Sequence, residues 1–165
     1  MKPATKILIY TDGSALGNPG PGGYGIILKT DDGQYKKEFS QGYRLTTNNR
    51  MELKAVIEAL KKIKNKTIPI EIYTDSKYVV DAINQKWINK WQAQRFDKTK
   101  NPDLWKEFVK AGNGLNYKIF WVKGHNNHPE NERCDQLAVQ AANSDKLLID
   151  EGYENNRKQP PGLFD

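Results

Sequence analysis

The sequence predicts an α/β fold built on a mixed sheet, and two observations carry that expectation. In the first third, short apolar or alternating runs follow one another with turn residues between them; in the second half, such runs alternate with amphipathic helical stretches. Strands joined by tight turns pair antiparallel, whereas strands joined through helices pair parallel. At 165 residues the chain is long enough for one domain with its own core.

The elements follow in order. Ile7 to Tyr10 is wholly apolar and runs into Thr11-Asp12-Gly13-Ser14, the pattern of a central strand ending in a turn. Gly17 to Gly23 holds turn residues throughout and is expected to be a loop. Tyr24–Lys29 and Tyr35–Arg44 flank Asp31-Asp32-Gly33, a hairpin signal. Asn48–Ile63 has the strongest helical periodicity. Ile68–Thr74 alternates as a strand, and Ser76 caps a helix reaching about Asn84. An amphipathic piece around Trp87 and Trp91 precedes a helix opened by Pro102 and ended by Gly112 and Gly114. Tyr117–Val122 is a strand and Glu130–Asn143 the last helix. The expected order is β-β-β-α-β-α-α-α-β-α. Residues 1–143 are read as one domain and residues 144–165, polar and with Pro160-Pro161-Gly162, as a mobile tail.

Composition narrows the function classes. Lys plus Arg number 26 against 20 Asp plus Glu, a formal charge of +6, which suits a phosphate-bearing partner. Cys134 is the one cysteine, so no intrachain disulfide forms and a reducing, cytoplasmic setting is expected. The opening residues carry no long apolar run, which excludes a membrane anchor or secretory signal there.

Against this basic background, four acids stand in unexpected places. Asp12 and Asp75 close strands, where sites form in open α/β sheets. On the first helix Leu53, Val56, Ala59, Leu60 and Ile63 share an apolar arc, and Glu52 falls inside it. On the last helix Asp135 flanks the arc of Cys134, Leu137, Ala138, Ala141 and Ala142. Taken singly, each has a bland reading as a turn residue, helix cap or early-helix acid. An inward-facing carboxylate nevertheless requires something positive beside it. If the four converge, their repulsion calls for cations, and oxygen-only ligands favour Mg²⁺ or Mn²⁺. Two such ions about 3.5–4 Å apart would clamp an in-line phosphoryl displacement. His125, His128 and Cys134 offer a rival zinc set, but they lack a fourth soft ligand and a common spacing.

Thr11-Asp12-Gly13-Ser14 followed by Gly17-Asn18-Pro19-Gly20-Pro21-Gly22-Gly23 resembles the opening of bacterial type 1 ribonuclease H. Thr46-Thr47-Asn48-Asn49-Arg50-Met51-Glu52-Leu53, Tyr73-Thr74-Asp75-Ser76, Trp121-Val122-Lys123-Gly124-His125 and His128 to Asp135 complete the resemblance in order, over about residues 5 to 143. It implies a ribonuclease H-like fold with a five-stranded mixed sheet flanked by helices. It implies Asp12, Glu52, Asp75 and Asp135 as metal-binding catalytic acids holding two Mg²⁺ ions, with Mn²⁺ able to substitute. Asp12 is the natural bridging ligand, and His125 assists proton transfer or product release. The implied reaction is endonucleolytic hydrolysis of the RNA strand of RNA–DNA hybrids, leaving 5′-phosphate and 3′-hydroxyl ends. The implied partner is the hybrid, bound by a monomer without any membrane.

The resemblance also places Ala15 and Asn18 against 2′-hydroxyls, Asn48 and Asn49 in the minor groove, and Thr47 with Asn48 at a DNA-strand phosphate. Reading a hybrid requires contacts to both kinds of sugar. Lys77 stands where many relatives carry Gln; it donates but cannot accept a hydrogen bond, and so favours a phosphate contact. Lys86, Trp87, Lys90 and Trp91 occupy the family's basic protrusion, which grips the DNA strand. Gln92-Ala93-Gln94 lacks the dense basic cluster of that protrusion, and the segment is shorter than in close relatives, so weaker or more salt-sensitive binding is expected. A hybrid-binding module without catalysis, and a resolvase- or integrase-like nuclease acting on DNA, are the competing classes.

Overall fold

A computed structural model describes residues 4–97, 99–123 and 128–157. Strands β1 (Ile7–Ala15), β2 (Gly20–Thr30) and β3 (Lys36–Thr46) form an antiparallel meander. Helix α1 (Asn48–Lys61) leads to β4 (Ile70–Thr74), and α2 (Lys77–Asn84), α3 (Trp87–Ala93) and α4 (Pro102–Gly112) lead to β5 (Tyr117–Trp121). Then come α5 (Pro129–Ala142), a two-residue β6 (Leu147–Leu148) and α6 (Glu151–Arg157). The sheet runs β5-β4-β1-β2-β3-β6, with β4 parallel to β1 and β5, and β6 parallel to β3. The expected mixed sheet is present, extended by a short sixth strand.

Helix α1 starts where Thr47 caps it, the hydroxyl accepting the Arg50 N–H at 3.3 Å. The wheel predicted one apolar arc, yet Ala55 and Ile57 are buried as well. Helix α4 packs on the far side of α1, so α1 is enclosed by the sheet and a second helix layer. Trp105 of α4, fully buried, anchors that layer: Tyr78, Trp91 and Phe108 surround its ring at 5.3–5.7 Å between centroids. Helix α5 covers β1, β2 and β3 with the arc expected for it, Cys134, Leu137, Ala138, Ala141 and Ala142.

Three expectations need correction. Asp12 does not close β1: the strand continues to Ala15, and Asp12 pairs with Gly25. Gly20 to Gly23 are strand, not loop, which leaves only Leu16 to Pro19 as the connection. The glycines there answer to packing, since a side chain on Gly23 or Gly25 would strike the Ala138 or Cys134 carbonyl of α5. The segment after Ser144 does not hang free over its described part. Leu147 and Leu148 pair with Gly42 and Tyr43, and Asp150 is buried against Arg50. Residues 158–165 lie outside the described residues.

Candidate active site

The parallel register brings two of the acids side by side. Thr11 of β1 pairs with Thr74 of β4, so the next residues, Asp12 and Asp75, stand together where the two strands part. Glu52 comes from one turn into α1, on the side facing β1. Its Oε1 accepts the Gly13 N–H at 2.6 Å, while Asp12 Oδ1 accepts the same N–H at 3.0 Å. Ligand oxygens of Asp12, Glu52 and Asp75 lie within 4.8 Å of one another. Asp135 stands outside that trio but beside Asp12, with which its carboxyl interacts directly.

This crowding shows in the titration of the acids. Burial, and then the charge of Asp75, push the Asp12 carboxyl up from 3.8 to about 8. Glu52 is likewise raised well above the ordinary carboxylate range by burial, and then by Asp12 and Asp75. Asp75 Oδ1 is buried without a hydrogen-bond partner. An orphaned buried carboxylate oxygen is costly unless a cation meets it. The donor set is oxygen only, so the site fits a hard divalent ion. At Glu52 the hydrogen-bond donor is the neutral Gly13 N–H, not the positive partner expected there. The zinc set fails at Cys134, whose buried thiol donates to the Tyr10 carbonyl at 3.3 Å and is pushed up strongly by burial.

Known proteins point the same way. The family model for RNase H matches residues 4–143. Ribonuclease HI of Helicobacter pylori (strain ATCC 700392 / 26695) is 53% identical over 133 residues, covering 81% of this chain and 90% of its own length. Among solved structures, LC9-RNase H1, a type 1 RNase H with the type 2 active-site motif, superposes with a TM-score of 0.75 at 33% identity, covering 96% of this chain and 83% of its own. LC11-RNase H1, solved in complex with RNA/DNA hybrid, gives 0.63 at 29% identity, covering 83% of this chain and 96% of its own. This chain belongs to the ribonuclease H family.

Within this ribonuclease H, Ala15, Asn18 and Asn48 meet: Asn48 Oδ1 accepts the Ala15 N–H at 2.7 Å, and the Asn48 N–H donates to Asn18 Oδ1 at 3.1 Å. These bonds tie the β1–β2 connection to the start of α1, with Asn49 exposed beside them. Lys77 reaches over the Trp121 ring, 4.7 Å from its centroid. On α3 the exposed Lys86 and Lys90 accompany a partly exposed Trp87, whereas Trp91 turns inward onto Trp105. His125 lies outside the described residues. His128 caps α5 ahead of Pro129, in keeping with a helix-entry role.

Three residues escaped the sequence reading. Trp121 Nε1–H donates to the Asp75 carbonyl at 3.1 Å, a contact that the β4–β5 register Thr74↔Trp121 makes possible. Asn101, with φ of 56°, lines the same surface cavity as Thr47. Arg50 is buried between Asp103 and Asp150. Asn before Pro102 was a usable signal for a helix entry, but no local pattern marks a side chain that faces a distant helix start.

Proposed function

We propose that this ribonuclease H hydrolyses the RNA strand of RNA–DNA hybrids endonucleolytically, leaving 5′-phosphate and 3′-hydroxyl ends, with two Mg²⁺ ions at the acid cluster and Mn²⁺ able to replace them. The convergence of Asp12, Glu52 and Asp75, with an unpartnered Asp75 oxygen among them, carries this reading. Acids placed for structure alone would each be satisfied by protein donors.

Asp12, coupled to Glu52, Asp75 and Asp135, would be the central ligand, and Glu52, Asp75 and Asp135 would help hold the ions. When bound, the two ions supply Lewis acidity at the attacking and leaving oxygens of an in-line displacement. The Gly13 N–H holds the Asp12 and Glu52 carboxylates toward a common point, so the ligand geometry is prepared before substrate arrives. His125 carries protons or helps the product leave, a role suited to imidazole near neutral pH.

The substrate class follows from the family and from LC11-RNase H1, whose structure holds an RNA/DNA hybrid. Ala15, Asn18, Asn48 and Asn49 would face the minor groove and its 2′-hydroxyls. Thr47 would meet a DNA-strand phosphate. Lys77 on α2 and Lys86, Trp87 and Lys90 at α3 would flank the backbone, while Trp91, expected to join them, packs inward on Trp105. No described helix is long and apolar enough to cross a membrane. Residues 1–143 form the catalytic unit, acting as a monomer in the cytoplasm.

The deciding experiment is cleavage of an end-labelled RNA–DNA hybrid in Mg²⁺ beside duplex RNA and duplex DNA, with Asp12→Asn as control. Cleavage confined to the RNA strand of the hybrid and lost in Asp12→Asn is the expected result. A folded wild type that binds the hybrid but cuts nothing in Mg²⁺ or Mn²⁺ would make it a binding module. Cleavage of duplex DNA instead would place it among the DNA-acting nucleases of this fold.

A further inference from the structure

The C-terminal segment reaches back to the face where the substrate would lie. Asp150, between β6 and α6, is buried. Its Oδ2 accepts the Thr46 hydroxyl at 2.7 Å and Arg50 Nε at 2.8 Å, and its Oδ1 accepts Arg50 Nη2 at 2.9 Å. The Arg50 side chain is 3% exposed and turns its other edge to Asp103, with bonds of 2.9 and 2.7 Å. Arg50 Nη1 also donates to Asn101 Oδ1 at 3.3 Å, and Asn101 Nδ2 donates to the Tyr78 hydroxyl at 3.2 Å.

Thr46 and Arg50 bracket Thr47, whose hydroxyl accepts the Arg50 N–H. Thr47 and Asn101 both line a surface cavity of about 460 Å³, together with Asn18, Asn49 and Lys100. The Asp150 carboxylate is therefore tied to two residues of that lining, to Thr47 through its neighbours Thr46 and Arg50 and to Asn101 through Arg50. The approach is tight: a side chain on Gly152 would collide with the Asp103 carboxylate. A buried ion pair adds little stability over a well-packed apolar pair; its distinctive contribution is direction.

We propose that Asp150 is a positioning residue for nucleic-acid binding: through Arg50 it sets the spacing of Thr47 and Asn101, so the segment after residue 143 governs the enzyme's grip on a backbone phosphate of its substrate. This rests on the reading of Thr47 as a phosphate contact. Asp150→Asn removes the charge that orients Arg50, and Gly152→Ala displaces the segment without changing any charge. Ile70→Ala, at the opposite end of the sheet, is the control for lost stability alone.

In steady-state cleavage of a short RNA–DNA hybrid, Asp150→Asn and Gly152→Ala raise KM about tenfold, the effect of losing one charged hydrogen bond. They leave kcat within about twofold, and Ile70→Ala leaves KM unchanged. An unchanged KM in both folded variants overturns the proposal, as does an equal KM rise in Ile70→Ala. A second measurement needs no substrate. The side-chain amide resonances of Asn101 shift in Asp150→Asn, and unshifted resonances overturn the proposal even if the wild type proves inactive on hybrids. Loss of the hybrid reading itself would show separately, as a wild type that neither binds nor cuts the hybrid.

Discussion

The Trp121 indole N–H donates to the backbone carbonyl of Asp75 at 3.1 Å, so a residue at the end of β5 holds the peptide that presents a candidate metal ligand. Groups one step removed from a metal ligand tune its affinity by fixing its orientation. Trp121→Phe keeps a ring for Lys77 but loses the N–H. It should raise the Mg²⁺ concentration for half-maximal cleavage by about tenfold, the lower end of such effects. Trp121 is 43% exposed, so the melting temperature should move little. A Mg²⁺ titration of the cleavage rate checks this; an unchanged midpoint would show that the indole leaves Asp75 where it is.

The acid cluster should make the metal-free protein less stable as pH rises. Burial and Asp75 push the Asp12 carboxyl up to about 8, so the folded chain keeps a proton that the unfolded chain releases above about 4. Stability from this source is full below the unfolded pKa and is lost as pH climbs through the folded one. In chelator, Asp12→Asn should therefore stabilise the protein by up to about 5 kcal/mol near pH 8 and by almost nothing near pH 4. Urea unfolding at the two pH values measures the difference. Mg²⁺ should bind more tightly at the higher pH and release protons on binding. A stabilisation by Asp12→Asn that does not vary with pH would contradict the raised pKa.

The acids were legible because each broke a local rule: Glu52 sat in an apolar arc and Asp135 leaned toward one. Their meeting was legible only in part: Asp12 and Asp75 were read at neighbouring strand ends, but the register that pairs Thr11 with Thr74 is set by the sheet and carries no local sign. The length of β1 was not, because Gly13-Ser14 carries the composition of a turn while β2 pairs with it across the sheet. The glycines of Gly20 to Gly23 misled for a similar reason. Glycine signals both a turn and a close backbone approach, and only the position of α5 separates the two. The docking of Asp150 was hidden because its partner, Arg50, is 100 residues away, and a polar tail gives no periodic sign of one buried carboxylate.

Acid should loosen the same buried cluster. Burial pushes the Asp103 carboxyl up, but its two hydrogen bonds from Arg50 and that residue's charge carry it below its usual 3.8. Its contribution is present above the unfolded pKa, near about 4, and is lost as pH falls through the lower folded value. Arg50→Ala leaves Asp150 buried and unpaired and should cost about 3–5 kcal/mol at neutral pH, read by chemical denaturation. That cost should shrink on acidification below about pH 4 as Asp103 takes up its proton. A cost under about 1 kcal/mol at neutral pH would mean that the cluster behaves as a surface pair.

Helix α3 divides two tryptophans between packing and exposure, and the pair should separate stability from binding. Trp91 lies 5.3 Å from the buried Trp105 ring, and Trp87 lies 6.3 Å from Trp91 with 39% of its surface exposed. Trp91→Ala opens a cavity beside Trp105 and should cost about 3 kcal/mol or more of stability. Trp87→Ala should cost under about 1 kcal/mol yet weaken hybrid binding by a contact worth about 1–3 kcal/mol, if its open face stacks on the substrate. Lys86→Ala and Lys90→Ala act differently again. Each should flatten the dependence of log affinity on log salt by about one unit, because each removes a counterion-releasing contact with the backbone. Unfolding curves and hybrid titrations at several salt concentrations read all four variants. Equal stability losses for the two tryptophans would mean that Trp87 is packed into the body after all, and an unchanged salt slope in both lysine variants would remove α3 from the substrate path.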